Sequence, residues 1–138
     1  MLESSALRAA ALHFYDRFTA NDVASFDEVV SRDAKLFIGT ADEEWFIERE
    51  KLRSGFAFDG LRLEPDDPQA WEQGDLGWVA DRPVMHVPGI GALLTRFTAV
   101  FRREEGSWKL VMSHFSVGVP DSEVIDLQRR WLGNRRGR

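Results

Sequence analysis

In the first twenty residues, Leu7, Ala11, Phe14 and Phe18 recur at three- and four-residue spacing, the period of a helix with one apolar stripe. The spacing predicts a helix over residues 5–20 with Tyr15 at the edge of the stripe. Asp22 then stands where an N-cap belongs, and Val23, Phe26, Val29 and Val30 form the apolar face of a second helix reaching about Ser31. Beyond it the pattern changes. "AKLFIGT" and "EEWFIE" read as short strands joined by the turn "GTAD", and in "EREKLRSGFAF" the shared face of Leu52 and Phe56 predicts a third helix despite Gly55.

"LRLEPDDP" reads as a strand stopped by two prolines, and residues 71–119 read as antiparallel sheet. "GDLGWVADRPVMHV" and "ALLTRFTAVFRREE" form one hairpin through "PGIG". The second of these forms another with "SWKLVMSHFSVGV" through Glu105-Gly106. After Pro120, "DSEVIDLQRRWLG" is a helical segment capped by Asp121.

Strict alternation from Glu105-Gly106 puts Trp108, Leu110, Met112, His114 and Ser116 on one face of the last strand. Opposite them fall Phe101, Ala99, Phe97 and Thr95, and one strand further Trp78, Ala80, Arg82 and Val84. This inner face has an aromatic end, small residues in the middle and a polar end of Arg82, Thr95, His114 and Ser116. That pattern suits a pocket wall. The other face, with Val100, Val111 and Phe115 bordered by charges and with Ser113 beside them, reads as a self-association surface with a polar rim.

The whole chain of 138 residues fits one domain, taken as residues 1–132 with a short flexible basic tail over 133–138. Hydrophobic content of 43%, with five Trp and ten Phe, supplies a substantial core. A net charge of -5 with mixed signs excludes an extended field for nucleic acid or an anionic membrane. The absence of cysteine removes disulfides and thiolate chemistry. No apolar run approaches a membrane span, and a cytoplasmic location is expected. The three histidines have no metal-ligand spacing, and "GIG" lacks the strand-to-helix context of a phosphate loop, so neither a metal nor a cofactor is expected.

The order helix, helix, short hairpin, helix, long sheet resembles the SnoaL-like branch of the nuclear-transport-factor-like superfamily, to which ketosteroid isomerase also belongs. The resemblance is carried by "FIGTADEEWFIEREKL" and by "RFTAVFRREEGSWKLVMSHFSVGVPDSEV". It implies an α+β cone-shaped fold, with a curved, mixed but mainly antiparallel sheet wrapped around the N-terminal helices. It also implies a conical pocket and a homodimer through the outer sheet face. Transfer of the isomerase machinery mostly fails. Tyr15 matches the oxyanion tyrosine, but the general base falls near Ile38 and the second acid near Ala99, and neither residue transfers a proton.

The expected function is therefore binding of a small, partly apolar organic molecule. Arg82, Ser116, Thr95, Phe97, Trp45, Trp78, Trp108 and Met112 are the expected ligand contacts, with Tyr15 reaching in from the first helix. One alternative is a cofactor-independent isomerase, cyclase or dehydratase in which His114 moves the proton and Tyr15 or Arg82 steadies an enolate-like oxygen. Another is a non-catalytic dimerisation scaffold.

Overall fold

A computed structural model describes residues 1–136. The first helix, α1 (Ser5–Thr19), starts at Ser4, whose Oγ accepts from the Leu7 N–H at 3.1 Å and donates to Glu72. Its buried stripe is Leu7, Ala11, Phe14, Tyr15 and Phe18, as the spacing predicts. Asp22 does cap the next element, accepting from the Ser25 N–H at 3.2 Å. That element is shorter than expected: one 3-10 turn (Val23–Ser25) leads into α2 (Phe26–Val29), and Val30 is already extended. The third helix is α3 (Arg49–Phe56), and the last is α4 (Asp121–Arg136). This last helix runs through Gly133 into the stretch read from sequence as a tail; Gly137 and Arg138 lie outside the described residues.

Nine strands make up the sheet: β1 (Leu2–Glu3), β2 (Lys35–Ile38), β3 (Trp45–Glu48), β4 (Arg62–Glu64), β5 (Gln69–Gln73), β6 (Leu76–Asp81), β7 (Val84–Val87), β8 (Gly91–Glu104) and β9 (Ser107–Val117). They pair in the order β1-β5-β6-β8-β9-β2-β3, with β4 added through β7 to the first part of β8. Among the described strands only the pairing of β2 with β9 is parallel, next to an isolated parallel bridge between Val30 and Leu110; the other strand pairs are antiparallel, and the sheet is curved and unclosed. The long strand read across "GDLGWVADRPVMHV" is in fact two, because Pro83 has no N–H for the ladder. Thr95 grips this corner: its N–H and its Oγ1 both donate to the Pro83 carbonyl, at 3.2 and 2.6 Å.

A β-bulge sets the faces of the sheet. Phe101 pairs with Leu110 as expected, but Val111 is left over, so Val100 pairs with Met112, Ala99 with Ser113 and Phe97 with Phe115. From that point every side chain of β9 sits on the face opposite to the one strict alternation predicts. On β6 the register is also one residue away from the expectation, with Gly77 opposite Phe101, Val79 opposite Ala99 and Asp81 opposite Phe97. The inner face is thus Gly77, Val79 and Asp81; Phe97, Ala99 and Phe101; and Leu110, Ser113 and Phe115, all buried. Burial explains the choice. The bulged register covers the Phe115 ring, leaving it 8% exposed, and keeps the His114 imidazole out of the core.

Helix α1 lies on this inner face. At Gly77 the approach is so close that an added Cβ would stand 2.4 Å from Leu7 Cδ2 and 2.9 Å from the Trp71 carbonyl oxygen. An aromatic cluster fills the centre: Phe14 stacks on Phe97 at 6.2 Å, and Phe56 meets Phe14, Phe18 and Phe26 edge-on at 5.1 to 5.8 Å. Among the described residues no helix is long and apolar enough to cross a membrane.

Candidate ligand-binding site

Next to this cluster the core opens into a cavity of about 540 Å³. Helix α1 contributes Phe14 and Phe18, and the sheet contributes Phe37, Phe46, Ser113 and Phe115. Leu52 and Gly55 of α3 form another side, continued by Phe58 and Leu61 after it. Met85, Val87, Ile90 and Leu93 of the β7–β8 hairpin complete the walls. Gly55 keeps the space open beside Phe18, whose ring lies 3.3 Å from where a Gly55 Cβ would be. Polar groups are few: the buried Ser113 on the wall, and Thr40, Glu44, Lys51 and Ser54.

The bulge decides which of the expected residues reach this space. Ser113 and Phe115, expected on a dimer face, line the cavity. Met112, His114 and Ser116 lie on the outer face, each half-buried, with Ser116 Oγ accepting from Arg96 Nε at 3.2 Å. Trp78 and Arg82 are outside as well, Trp78 in register with Val100 and Arg82 exposed beyond the end of β6. Trp45 pairs with Ile38 at the far edge and is 61% exposed. Trp108 is half-buried beneath the Arg103 guanidinium, 4.6 Å from its ring centre, away from the cavity. Thr95 and Phe97 do face inward and are buried, but they belong to the packed core and do not line the cavity.

Tyr15 is buried, and its hydroxyl donates to Asp81 Oδ2 at 3.0 Å; Asp81 Oδ1 accepts from the Asp67 N–H at 3.0 Å. Burial, and then the charge of Asp81, push the Tyr15 phenol far above its ordinary value. Neither residue lines the cavity. Phe97 packs against Tyr15 at 5.4 Å and against Phe115 at 4.6 Å, so one ring stands between the polar pair and the cavity wall. Ile38, at the position matched to an isomerase base, borders the cavity in register with the outward-facing His114 and carries no ionisable group.

Sequence reasoning missed the aromatic walls supplied by Phe37, Phe46 and Phe58, and the carboxylate of Glu44. The available signal was the pair of short strands flanking "GTADE", with Phe37 and Phe46 in register across their hairpin. His13 and His86 pair with Glu28 and Glu64 at 3.2 and 2.7 Å, outside the cavity lining. No cluster of three metal-ligating side chains exists among the described residues.

A family model of the SnoaL-like domain matches residues 7–120. The chain belongs to the SnoaL-like domain family. Solved structures with the same NTF2-like, cystatin-like cone fold place this SnoaL-like domain among distant neighbours. A protein from Streptomyces avermitilis, named as a dehydratase of the NTF2-like family, superposes with a TM-score of 0.70 at 16% identity, covering 83% of this chain and 95% of its own. One with a cystatin-like fold from Caulobacter vibrioides gives 0.70 at 15% identity, over 91% and 96%. A third, from Shewanella frigidimarina and named as a ketosteroid isomerase, gives 0.66 at 16%, over 82% and 96%. No curated protein matches the chain.

Proposed function

We propose that this SnoaL-like domain binds a small, largely apolar organic molecule in the cavity between α1, α3 and the sheet. The observation that carries this reading is the cavity itself: about 540 Å³ with aromatic and aliphatic walls, room for roughly two or three fused rings. The names of the Streptomyces and Shewanella proteins suggest dehydration or isomerisation. In this chain, however, His114 faces away from the cavity and Tyr15 is held by Asp81, so the proton-transfer arrangement read from sequence has no support. Binding is therefore the activity the geometry favours.

The experiment is a thermal-shift screen of two- and three-ring compounds on the wild type and on Ser113→Leu, which places a larger side chain in the cavity. Ligands that raise the melting temperature of the wild type and not of the variant support the reading. A panel without any cavity-dependent shift refutes it.

A second reading concerns assembly. The outer sheet face carries Trp78 on β6, Val100 on β8 and Met112 on β9 side by side in the ladder, with Leu76 on the same strand as Trp78 and with Trp45 and Ile47 on β3, and Leu76, Trp78, Trp45 and Ile47 are exposed large apolar side chains. We infer that two copies pair through this face. Val100 stays in the proposed interface, and Phe115, now an inner-face residue, does not; Val111 is the half-buried extra residue of the bulge.

A further inference from the structure

The apolar walls of the cavity are interrupted by the hairpin that joins β2 to β3. Two backbone bonds close it, Gly39 N–H to the Glu44 carbonyl at 2.8 Å and Glu44 N–H to the Ala41 carbonyl at 3.0 Å. A third contact folds the Glu44 side chain back, its Oε1 accepting from the Ala41 N–H at 2.9 Å. Gly39 makes the space for this: a Cβ there would lie 2.4 Å from Glu44 Oε2 and 2.6 Å from Cδ. Glu44 is half-buried and is, among the described residues, the one carboxylate that lines the cavity. Among the described residues no hydrogen bond is made to Oε2, and this oxygen is not sealed from solvent.

Lys51 of α3 lines the same cavity from an exposed position, and no ion pair joins it to Glu44 or to another carboxylate among the described residues. A ligand therefore meets both signs of charge beside walls that are otherwise apolar. The two charges oppose each other in their pull on a charged ligand, Lys51 from an exposed and solvent-screened position. A charged ligand of either sign must leave water for hydrocarbon surroundings, and an anion also meets the Glu44 carboxylate. A neutral hydroxyl escapes both penalties. It donates to the carboxylate in a charge-assisted hydrogen bond while the ring body occupies the apolar space.

Resting on the binding reading above, we propose that Glu44, positioned by Gly39, is the polar anchor of the cavity and that the ligand class is a neutral, ring-bearing alcohol or phenol. The test is calorimetric or ligand-observed NMR titration of four matched probes: a naphthol, naphthalene, the naphthoate and the naphthylmethylamine. The proteins are the wild type, Glu44→Ala and Gly39→Ala, with folding of each verified by circular dichroism.

For the wild type the naphthol should bind about tenfold tighter than naphthalene, and tighter than either charged probe. In Glu44→Ala that ratio should fall close to one while naphthalene affinity stays the same, which simple loss of structure would not produce. Gly39→Ala, which displaces the carboxylate without removing it, should also lower the ratio and serves as the deciding variant if Glu44→Ala does not fold. A ratio that is near one in the wild type, or unchanged in the variants, overturns the anchor and leaves the cavity reading intact. Tighter binding of the naphthoate or the amine overturns the ligand class. Failure of all four probes to bind the wild type overturns this proposal together with the reading beneath it.

Discussion

Tyr15 on α1 and Asp81 at the end of β6 are joined by a 3.0 Å hydrogen bond inside the core, 66 positions apart in sequence. The bond ties the first helix to the inner face of the sheet, and the Asp67 N–H completes the satisfaction of the carboxylate. Tyr15→Phe removes the donor and leaves one oxygen of a buried carboxylate unpaired. A loss of about 1–3 kcal/mol is expected, measured as a lower midpoint in urea unfolding with an unchanged slope.

The same pair makes stability depend on alkaline pH in a defined direction. Tyr15 is the only tyrosine in the chain, and its folded-state value is raised above the ordinary 10.0 by burial and by Asp81. Above that ordinary value the unfolded chain releases the phenol proton and the folded chain keeps it. The stabilisation is therefore complete below pH 10.0 and is progressively lost as pH rises beyond it. Tyrosinate absorbance should stay absent from the native protein above this pH and appear together with unfolding. Tyrosinate forming at the ordinary pH in a still-folded protein would contradict the burial of Tyr15.

Gly77 is predicted to tolerate no side chain. The Cβ of Gly77→Ala meets Leu7 and the Trp71 carbonyl, and overpacking of this kind costs about 1–3 kcal/mol. If Leu7 is the obstacle, its truncation in Leu7→Ala should be less damaging in the Gly77→Ala background than alone. A double-mutant cycle by thermal unfolding measures that coupling.

Ligand binding should ignore His114, which the bulge turns outward, and Arg82, which is exposed beyond the end of β6. His114→Gln and Arg82→Gln are expected to leave affinity for any cavity ligand within about twofold of wild type, inside the scatter of ordinary surface substitutions. A tenfold loss in either variant would place the binding site on the outer face instead.

Pairing through the outer sheet predicts a dimer that one charge can separate. Val100 stands between Trp78 and Met112 in the ladder, so Val100→Glu puts a carboxylate in the centre of the apolar patch. Sedimentation should show a dimer for the wild type and a folded monomer for the variant. A monomeric wild type would remove the assembly reading.

The parts of the fold that were legible from sequence are those governed by short-range spacing. The stripe of Leu7, Ala11, Phe14 and Phe18 forecast α1, Asp22 forecast a cap, and the turn at Glu105-Gly106 forecast the β8–β9 hairpin with Phe101 opposite Leu110. Assignment of faces failed beyond Leu110, because a bulge depends on which ring the three-dimensional core can bury, and nothing local to Val111 announces it. The Arg82-Pro83 corner was visible as a proline, but its consequence for β6 and β7 depends on Thr95, twelve residues beyond Pro83. Glu44 escaped notice because its position follows from the space left by Gly39, a relation between two residues across a turn.

The bulge also governs how this chain is compared with its relatives. With Val111 unpaired, β9 carries one residue more than its ladder partner uses, so a gap belongs inside a strand, where alignment methods least readily open one. An ungapped alignment to a relative whose last strand is regular runs out of frame from Met112 onward and matches His114 to an inward position that Phe115 occupies. Catalytic roles carried across such an alignment arrive one residue too early.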